Sequence, residues 1–590
     1  MSDLYFAELR RFARWAAGLA VLHLLALLLL DYLFPGINDD DEVVRMAGAV
    51  YAAGGAIFGV YQAASYARLN HWIALLHRPV APWRIMAGVV GAGATAVVAV
   101  MLPPLLLLIG SQTLNVERVI DARHWLAPFA ATLFALIGFL GGSYGAAAPR
   151  RYGWTGLATA AVLMIGSLAF GAGALLLPAL IVVLLAILVA GAFRPDRTRA
   201  TTQPLLLGVT ALTAAFTVFF VLLMMGGIAY HLSLAALGRN PLVNATASQP
   251  GGLVQSSRAN GEELIASALG RAAPDLRGVE AVRLPLTLEW LPRRGEMTRT
   301  VGSDVLDSRR GILWRFSHDA DAYVGFRLKD RHPVGRMRPA GGFAAPPISV
   351  GEGILASGGT LYRFDRATGA LVHMLQLPAG EVVVARPKPI GRRLAVLGEQ
   401  ALYLVDAAVM DGHSAAQPLR IPLGGAVADV RRIDAAPLEG RMILSIFFGQ
   451  NSIEGPSSAW QRVVSVASDG TVTELARRRF APEFGDAMRF RATWISPVIH
   501  ALAEAAERIG AAEGPLDRQA EPVVPTGIWT LAAVLAALSA LATFVLALRR
   551  RLGTTAAVVW SLASLIFSLP FFVAFALIER RRPIDSSALL

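Results

Sequence analysis

Long apolar runs separated by short polar gaps fill the first 230 residues of the chain, give way to short alternating segments, and return after residue 527. The first run extends from about Trp15 to Phe34, and others follow at about Val43 to Ala67, Ile85 to Gly110, Leu126 to Ala148, Thr155 to Ala172, Ala174 to Phe193, Leu205 to Tyr230, Ile528 to Leu548 and Thr555 to Ile578. Most approach the roughly 20 apolar residues that carry a helix across a bilayer, so the pattern predicts about nine spans. Gly171, Gly173 and Pro178 divide the stretch from Thr155 to Phe193, where a re-entrant pair would read the same way. The first run is too long for a signal-peptide core, and no small-residue cleavage site follows the Arg10–Arg11 pair. It reads as an uncleaved anchor.

Between Tyr230 and Ile528 the period changes from helical to alternating. A polar entry, "GRNPLVNATASQPGG", and a short helix near Gly261 to Ala272 precede strands separated by turns. Four pieces look related: "ILWRFSHD" from Ile312, "LYRFDRATGALVHML" from Leu361, "LYLVDAAVMDG" from Leu402 and "VVSVASDGTVTEL" from Val463. Their spacings, roughly 40 to 60 residues, bracket the length of a four-stranded propeller blade. The unit from Leu361 resembles quinoprotein-like and other bacterial propeller repeats, with Asp365, Thr368 and Gly369 forming the turn between two strands. The resemblance implies a partial or small β-propeller, and an irregular β-sandwich is the alternative. An amphipathic helix in "WISPVIHALAEAAERIGAAEGP" leads back to the apolar runs.

Composition makes the membrane assignment firm: 55% of residues are hydrophobic and only 16% charged. The net charge of +12 would suit a nucleic-acid binder, but the arginines gather in short loops beside apolar runs, which is orientation chemistry and disfavours nucleic acid as a partner. Arg10, Arg11, Arg14, Arg68, Arg78, Arg84, Arg150, Arg151, Arg194, Arg197, Arg199 and Arg549 to Arg551 fall on one side if the N-terminus is inside, and Asp39 to Glu42 on the other. The chain therefore divides into a six-span core (residues 1–200), an added span (201–235), a large outside β-domain (236–522) and two terminal spans with a tail (523–590). In a bacterium this means the inner membrane with a periplasmic domain. An odd number of spans would leave Arg580 to Arg582 outside, so either that tail is tolerated there or one run is not a full crossing.

"LNHWIALLHRPVAPWRI" lies inside between the second and third runs. Leu69, Trp72, Ile73 and Leu76 recur at helical spacing and make one apolar stripe, and Pro79 and Pro82 end the helix. A helix lying on lipid, anchored by Trp72, is one reading. Placed between apolar runs, and followed by "LPPLLLL", the segment resembles the region between the second and third spans of ABC-2-type exporter permeases, as does the six-span core from Trp15 to Phe193. That resemblance implies a cytoplasmic coupling helix set into a separate ATP-binding subunit, with Leu69, Trp72, Ile73, Leu76, His77 and Arg78 as the contact residues.

Little else carries chemistry. Lysine occurs only at Lys329 and Lys388, so a phosphate-cradling GxxxxGK[ST] loop is absent, and the lack of Cys excludes disulfides and thiolate sites. The β-domain holds no GxSxG or HExxH motif and its histidines are scattered without ligand spacing, which leaves no catalytic residues, no metal and no cofactor to name. Glu117, Asp121 and His124 share a helix face, but with Arg118 and Arg123 beside them ordinary surface ion pairing outweighs metal binding. His23 is the main ionisable group at mid-membrane depth, which disfavours proton coupling. The pairs Gly55/Gly59, Gly138/Gly142 and Gly141/Gly145 mark helix interfaces, within the chain or across a homodimer or heterodimer. Two functions compete: the permease subunit of an ATP-driven exporter whose outside domain binds cargo or a partner, and a membrane-anchored envelope sensor or scaffold.

Overall fold

The computed structural model describes residues 2–34, 41–66, 80–114, 118–165, 175–194, 203–248, 251–270, 281–284, 304–351, 353–390, 392–406, 418–449, 453–508 and 522–580. It is a multi-pass helical protein with a separate β-rich region. The first seven helices are α1 (Ser2–Leu33), α2 (Asp41–Tyr66), α3 (Pro82–Thr113), α4 (Ala122–Ala147), α5 (Arg150–Ile165), α6 (Leu176–Ala192) and α7 (Pro204–Ala236). Five of these, α1 to α4 and α7, are long and apolar enough to cross a membrane. Arg194, just beyond α6, donates to the Tyr152 hydroxyl near the start of α5 (3.1 Å), so these two shorter helices form a hairpin that returns to its own side.

The glycine pairs seat α2 directly on α4. A Cβ at Gly55 or Gly59 would overlap the carbonyl oxygens of Ala135 and Phe139, and one at Gly138 or Gly142 those of Ala52 and Ala56. The two GxxxG faces therefore fill each other within the chain, the close backbone approach that small residues permit where lipid supplies no hydrophobic drive. Gly141 and Gly145 face Gly153, Gly156 and Leu157 of α5 in the same way.

The β-rich region opens with two short helices, α8 (Leu253–Arg258) and α9 (Gly261–Leu269), and holds seventeen described strands in four antiparallel sheets. The first sheet contains β2 (Val305–Asp307), β3 (Ile312–Ser317), β4 (Ala322–Arg327) and β5 (Pro333–Met337). The second contains β6 (Ile348–Gly351), β7 (Ile354–Ser357), β8 (Thr360–Asp365) and β9 (Ala370–Gln376). The third contains β10 (Lys388–Ile390), β11 (Arg393–Leu397), β12 (Ala401–Asp406) and β13 (Leu419–Pro422). The fourth runs β14 (Val430–Leu438), β15 (Arg441–Phe448), β16 (Trp460–Ala467) and β17 (Val472–Arg479), with the early strand β1 (Val282–Leu284) paired to β14.

Successive sheets pack face to face. Phe316 and Tyr323 meet Leu355 and Tyr362, Leu361 and Ile348 meet Val396 and Tyr403, and Leu402 and Ile421 meet Ile433, Leu444 and Val464. The far face of the fourth sheet is covered by α8 and α9, whose Leu253, Leu264 and Ile265 lie on Phe447, Ile443 and Val463. Three of the four sequence repeats fall on the third strand of their sheet (β8, β12 and β16), but "ILWRFSHD" is β3, a second strand. The unit in phase is β4, from Ala322. Alternation alone does not distinguish neighbouring strands of a meander, because all share the same period.

A solubility test follows from the cover that α8 and α9 provide. A fragment spanning residues 251–485 should be soluble and strand-rich, whereas one from Arg277 to Phe480 strips the cover from Ile443, Phe447 and Val463 and should aggregate, as size-exclusion chromatography would show.

After β17 come α10 (Asp486–Arg489), α11 (Arg491–Ile495) and α12 (Pro497–Arg508), then α13 (Thr526–Arg549) and α14 (Thr554–Ile578). By length α14 is a span, and the sequence pattern predicts a crossing, but its path corrects this. Trp560 lies 5.1 Å from Phe575, ring centroid to centroid, although an unbroken helix would separate them by about 22 Å. The reversal is at Ser568, whose φ of 59° and ψ of −150° belong to a region nearly exclusive to glycine, and Pro570 starts the returning half. Arg550, at the end of α13, donates to the carbonyls of Ala576 (3.1 Å) and Glu579 (2.6 Å), and Arg151 reaches that of Ile578 (3.5 Å). Helix α14 is therefore a re-entrant hairpin whose end, with Arg580, rejoins Arg549 to Arg551. The surplus crossing in the sequence count disappears.

Candidate functional site

Helix α1 exposes most of its apolar surface and is pinned to its neighbours at three polar levels. At its N-terminal end Glu8, 4% exposed, accepts from Gln62 Nε2 (3.1 Å), from the Tyr66 hydroxyl, and from Arg11 Nη1 (3.4 Å). Gln62, 1% exposed, also donates to the Val89 carbonyl of α3 (2.9 Å), so one carboxylate and one amide join three helices. Half-way along, His23 Nδ1 lies 3.0 Å from the Val100 carbonyl and Nε2 3.1 Å from the Tyr51 hydroxyl. A carbonyl can only accept, so the ring donates from Nδ1, and Nε2 faces the Tyr51 hydroxyl. At the far end Asp31 accepts from Gln112 (2.7 Å) and pairs with Arg118.

The levels stand about 22 Å and 12 Å apart along α1, too far for direct hydrogen bonds between one and the next. They act as clamps. Burial makes each one costly to break, since a polar group left unpaired away from water loses about 1–3 kcal/mol.

The six contact residues expected from the sequence, Leu69, Trp72, Ile73, Leu76, His77 and Arg78, lie outside the described residues. What is described is the frame that holds them. Tyr66 ends α2 directly before that segment and Pro82 begins α3 directly after it. Glu8 therefore holds Tyr66 on the entering root, and Gln62, itself bonded to Glu8, holds the Val89 carbonyl on the leaving one.

A second junction ties the helices to the β-domain. Glu117 lies outside the described residues, and Asp121, which precedes α4, does pair with Arg123 (3.7 Å), but both are buried, which corrects the expectation of a surface pair. The Asp121 carboxylate accepts from the Ser317 hydroxyl (2.7 Å) and the His318 N–H (2.9 Å), in the turn between β3 and β4. Asp319 returns the contact by accepting from the Ala122 N–H (2.7 Å). His124 Nδ1 accepts from the Asp121 N–H (2.9 Å), which closes a capping box. The acid sits at the positive end of the helix, where negative charge is favoured.

No family model, curated protein or solved structure matches this chain. Its function has to be argued from these junctions. Sequence reasoning had picked out His23 and Asp121 but missed Glu8, Gln62 and Tyr66. A buried acid among flanking arginines looks like ordinary loop charge until its partners, more than fifty residues away, are known.

Proposed function

We propose that the chain is the membrane permease subunit of an ATP-driven exporter, driven through Leu69 to Arg78 by a separate cytoplasmic ATPase. The observation that carries this reading is the Glu8 clamp: the helix that enters the segment is fastened to α1 through Glu8, and the helix that leaves it is fastened to the first through Gln62 and the Val89 carbonyl. A segment that merely rested on lipid would need no such linkage. The fold-back within α14 adds support, because non-helical backbone at membrane depth is tolerated where it is buried in protein or lines a cavity. In this reading the membrane is the bacterial inner membrane, and the four sheets form an open row of propeller-like blades on the periplasmic side that receives or gates cargo. Asp121 and Ser317 would pass movement between the blades and α4.

The envelope sensor or scaffold is favoured by one observation, the wide separation of the three polar levels, which offers no evident polar route for cargo.

The test is co-purification of the ATPase with the full chain. Trp72→Ala and Leu76→Ala should each cost about 1–4 kcal/mol of association, as buried anchors do. The double variant should insert and fold normally yet bring down the ATPase only at background. Recovery at wild-type yield would leave the segment as an interfacial helix and remove the exporter reading.

A further inference from the structure

On the face of the fourth sheet turned away from α9, Trp460 lies flat on Phe448, with 4.0 Å between ring centroids and 4° between planes. Gly425 leaves room for this stack, since a Cβ there would come within 2.8 Å of both rings. Strand register sets Arg479 beside Trp460 and Arg477 beside Arg462. The Arg477 guanidinium stands 5.2 Å from the centre of the Trp460 ring. Glu474 binds it through two hydrogen bonds (2.9 and 3.1 Å) and accepts a third from Arg462 (2.7 Å). These bonds hold the Glu474 carboxyl below its usual range, so it stays ionised at neutral pH. Two guanidiniums on one carboxylate leave a positive charge unbalanced, and the exposed Arg479 adds another.

Beside them opens a cavity of about 410 Å³, lined by Asp429, Ser457, Trp460, Arg477, Arg479 and Val523 among others. The Ser457 hydroxyl is buried with no hydrogen-bond partner among the described residues. Val523 is exposed and lies just before Thr526, where α13 begins. Phe484, shortly after Arg479, packs on Tyr230 and His231 near the far end of α7. The cavity thus sits where the β-domain meets the outer ends of two spans.

We propose that this cavity binds the phosphodiester headgroup of an anionic lipid in the outer leaflet. Arg477 and Arg479 would take the two non-bridging oxygens, and Ser457 would donate to one of them. Asp429, 8% exposed, would accept a headgroup hydroxyl and repel a dianionic phosphomonoester. Acyl chains would leave past Val523 along α13. The site stands independently of the exporter reading.

Native mass spectrometry of the full chain, taken from phosphatidylcholine vesicles doped with either phosphatidylglycerol or phosphatidic acid, tests this. The wild type should retain phosphatidylglycerol in preference to phosphatidic acid. Arg477→Ala with Arg479→Ala should retain about tenfold less, the loss of roughly one charge-assisted bond, with unchanged thermal unfolding. A second arm adds soluble glycerol phosphate: failure to displace the lipid supports a headgroup site, and full displacement would overturn the lipid source in favour of a soluble phosphodiester. Equal retention by wild type and double variant would overturn the site itself.

Discussion

A cysteine placed at Arg580 will stay unlabelled by a membrane-impermeant thiol reagent, while one at Ala367 reacts, when the outer barrier of intact cells has been opened. The chain carries no cysteine of its own, so each substitution reports a single position. Ala367 is exposed in the turn between β8 and β9. Arg580 follows a helix end held by Arg550, whose own neighbours form part of the arginine-rich side. The physical cause is the fold-back at Ser568: the two arms of α14 are roughly 20 Å and 14 Å long, and neither can cross about 30 Å of hydrocarbon. Once the membrane that holds the protein is also opened, the cysteine at 580 should label as strongly as the one at 367. Labelling at both positions before that step would mean that α14 crosses.

The second large effect concerns the α2–α4 contact. Gly55→Ala and Gly138→Ala should each destabilise the protein by about 1–3 kcal/mol, because the new methyl meets a backbone carbonyl and cannot turn aside. The double variant should cost less than the sum, since helices already spread by one methyl admit the second. Gly54 is the control. Nothing lies within 4 Å of a Cβ there, so Gly54→Ala should be neutral or stabilising by up to about 1 kcal/mol through helix propensity. Thermal unfolding in detergent reads all four proteins. Additive losses, or a loss at Gly54 equal to that at Gly55, would show that the glycines act through the helix itself and not through its partner.

Apolar length made most of the long helices legible, and the alternating pattern made the β-region legible, because both are local signals. Direction was not. The run from Thr555 to Ile578 is apolar throughout, and its reversal is written only in Ser568 and Pro570, which a hydropathy profile reads as a tolerated kink. The misplaced arginines at 580 to 582 were the visible symptom. Glycine pairs announced a close contact without naming the partner, since the carbonyls they meet belong to residues about eighty positions away. Asp121 and His124 were expected on one helix face, whereas Asp121 is the extended N-cap residue and His124 its capping-box partner, and the donors that Ser317 and His318 bring to Asp121 are properties of the folded chain. Glu8 resembled one more charge beside Arg10 and Arg11 until Gln62 and Tyr66 were brought to it.

The junction at Asp121 also orders the protein's assembly in time. Helix α4 receives its capping partners from residues 196 and 197 positions further along the chain. At about 5–20 residues per second, the ribosome needs roughly 10–40 s after making Asp121 to deliver Ser317. Until then the carboxylate has only its local contacts, and closure requires that the first sheet fold beside it. Helices α13 and α14 are synthesised later still, so the last two apolar segments enter a bundle whose outer domain has already had the chance to dock. A chain that lacked the first sheet would keep the local capping box of Asp121 and His124 but leave the buried carboxylate without its two distant donors.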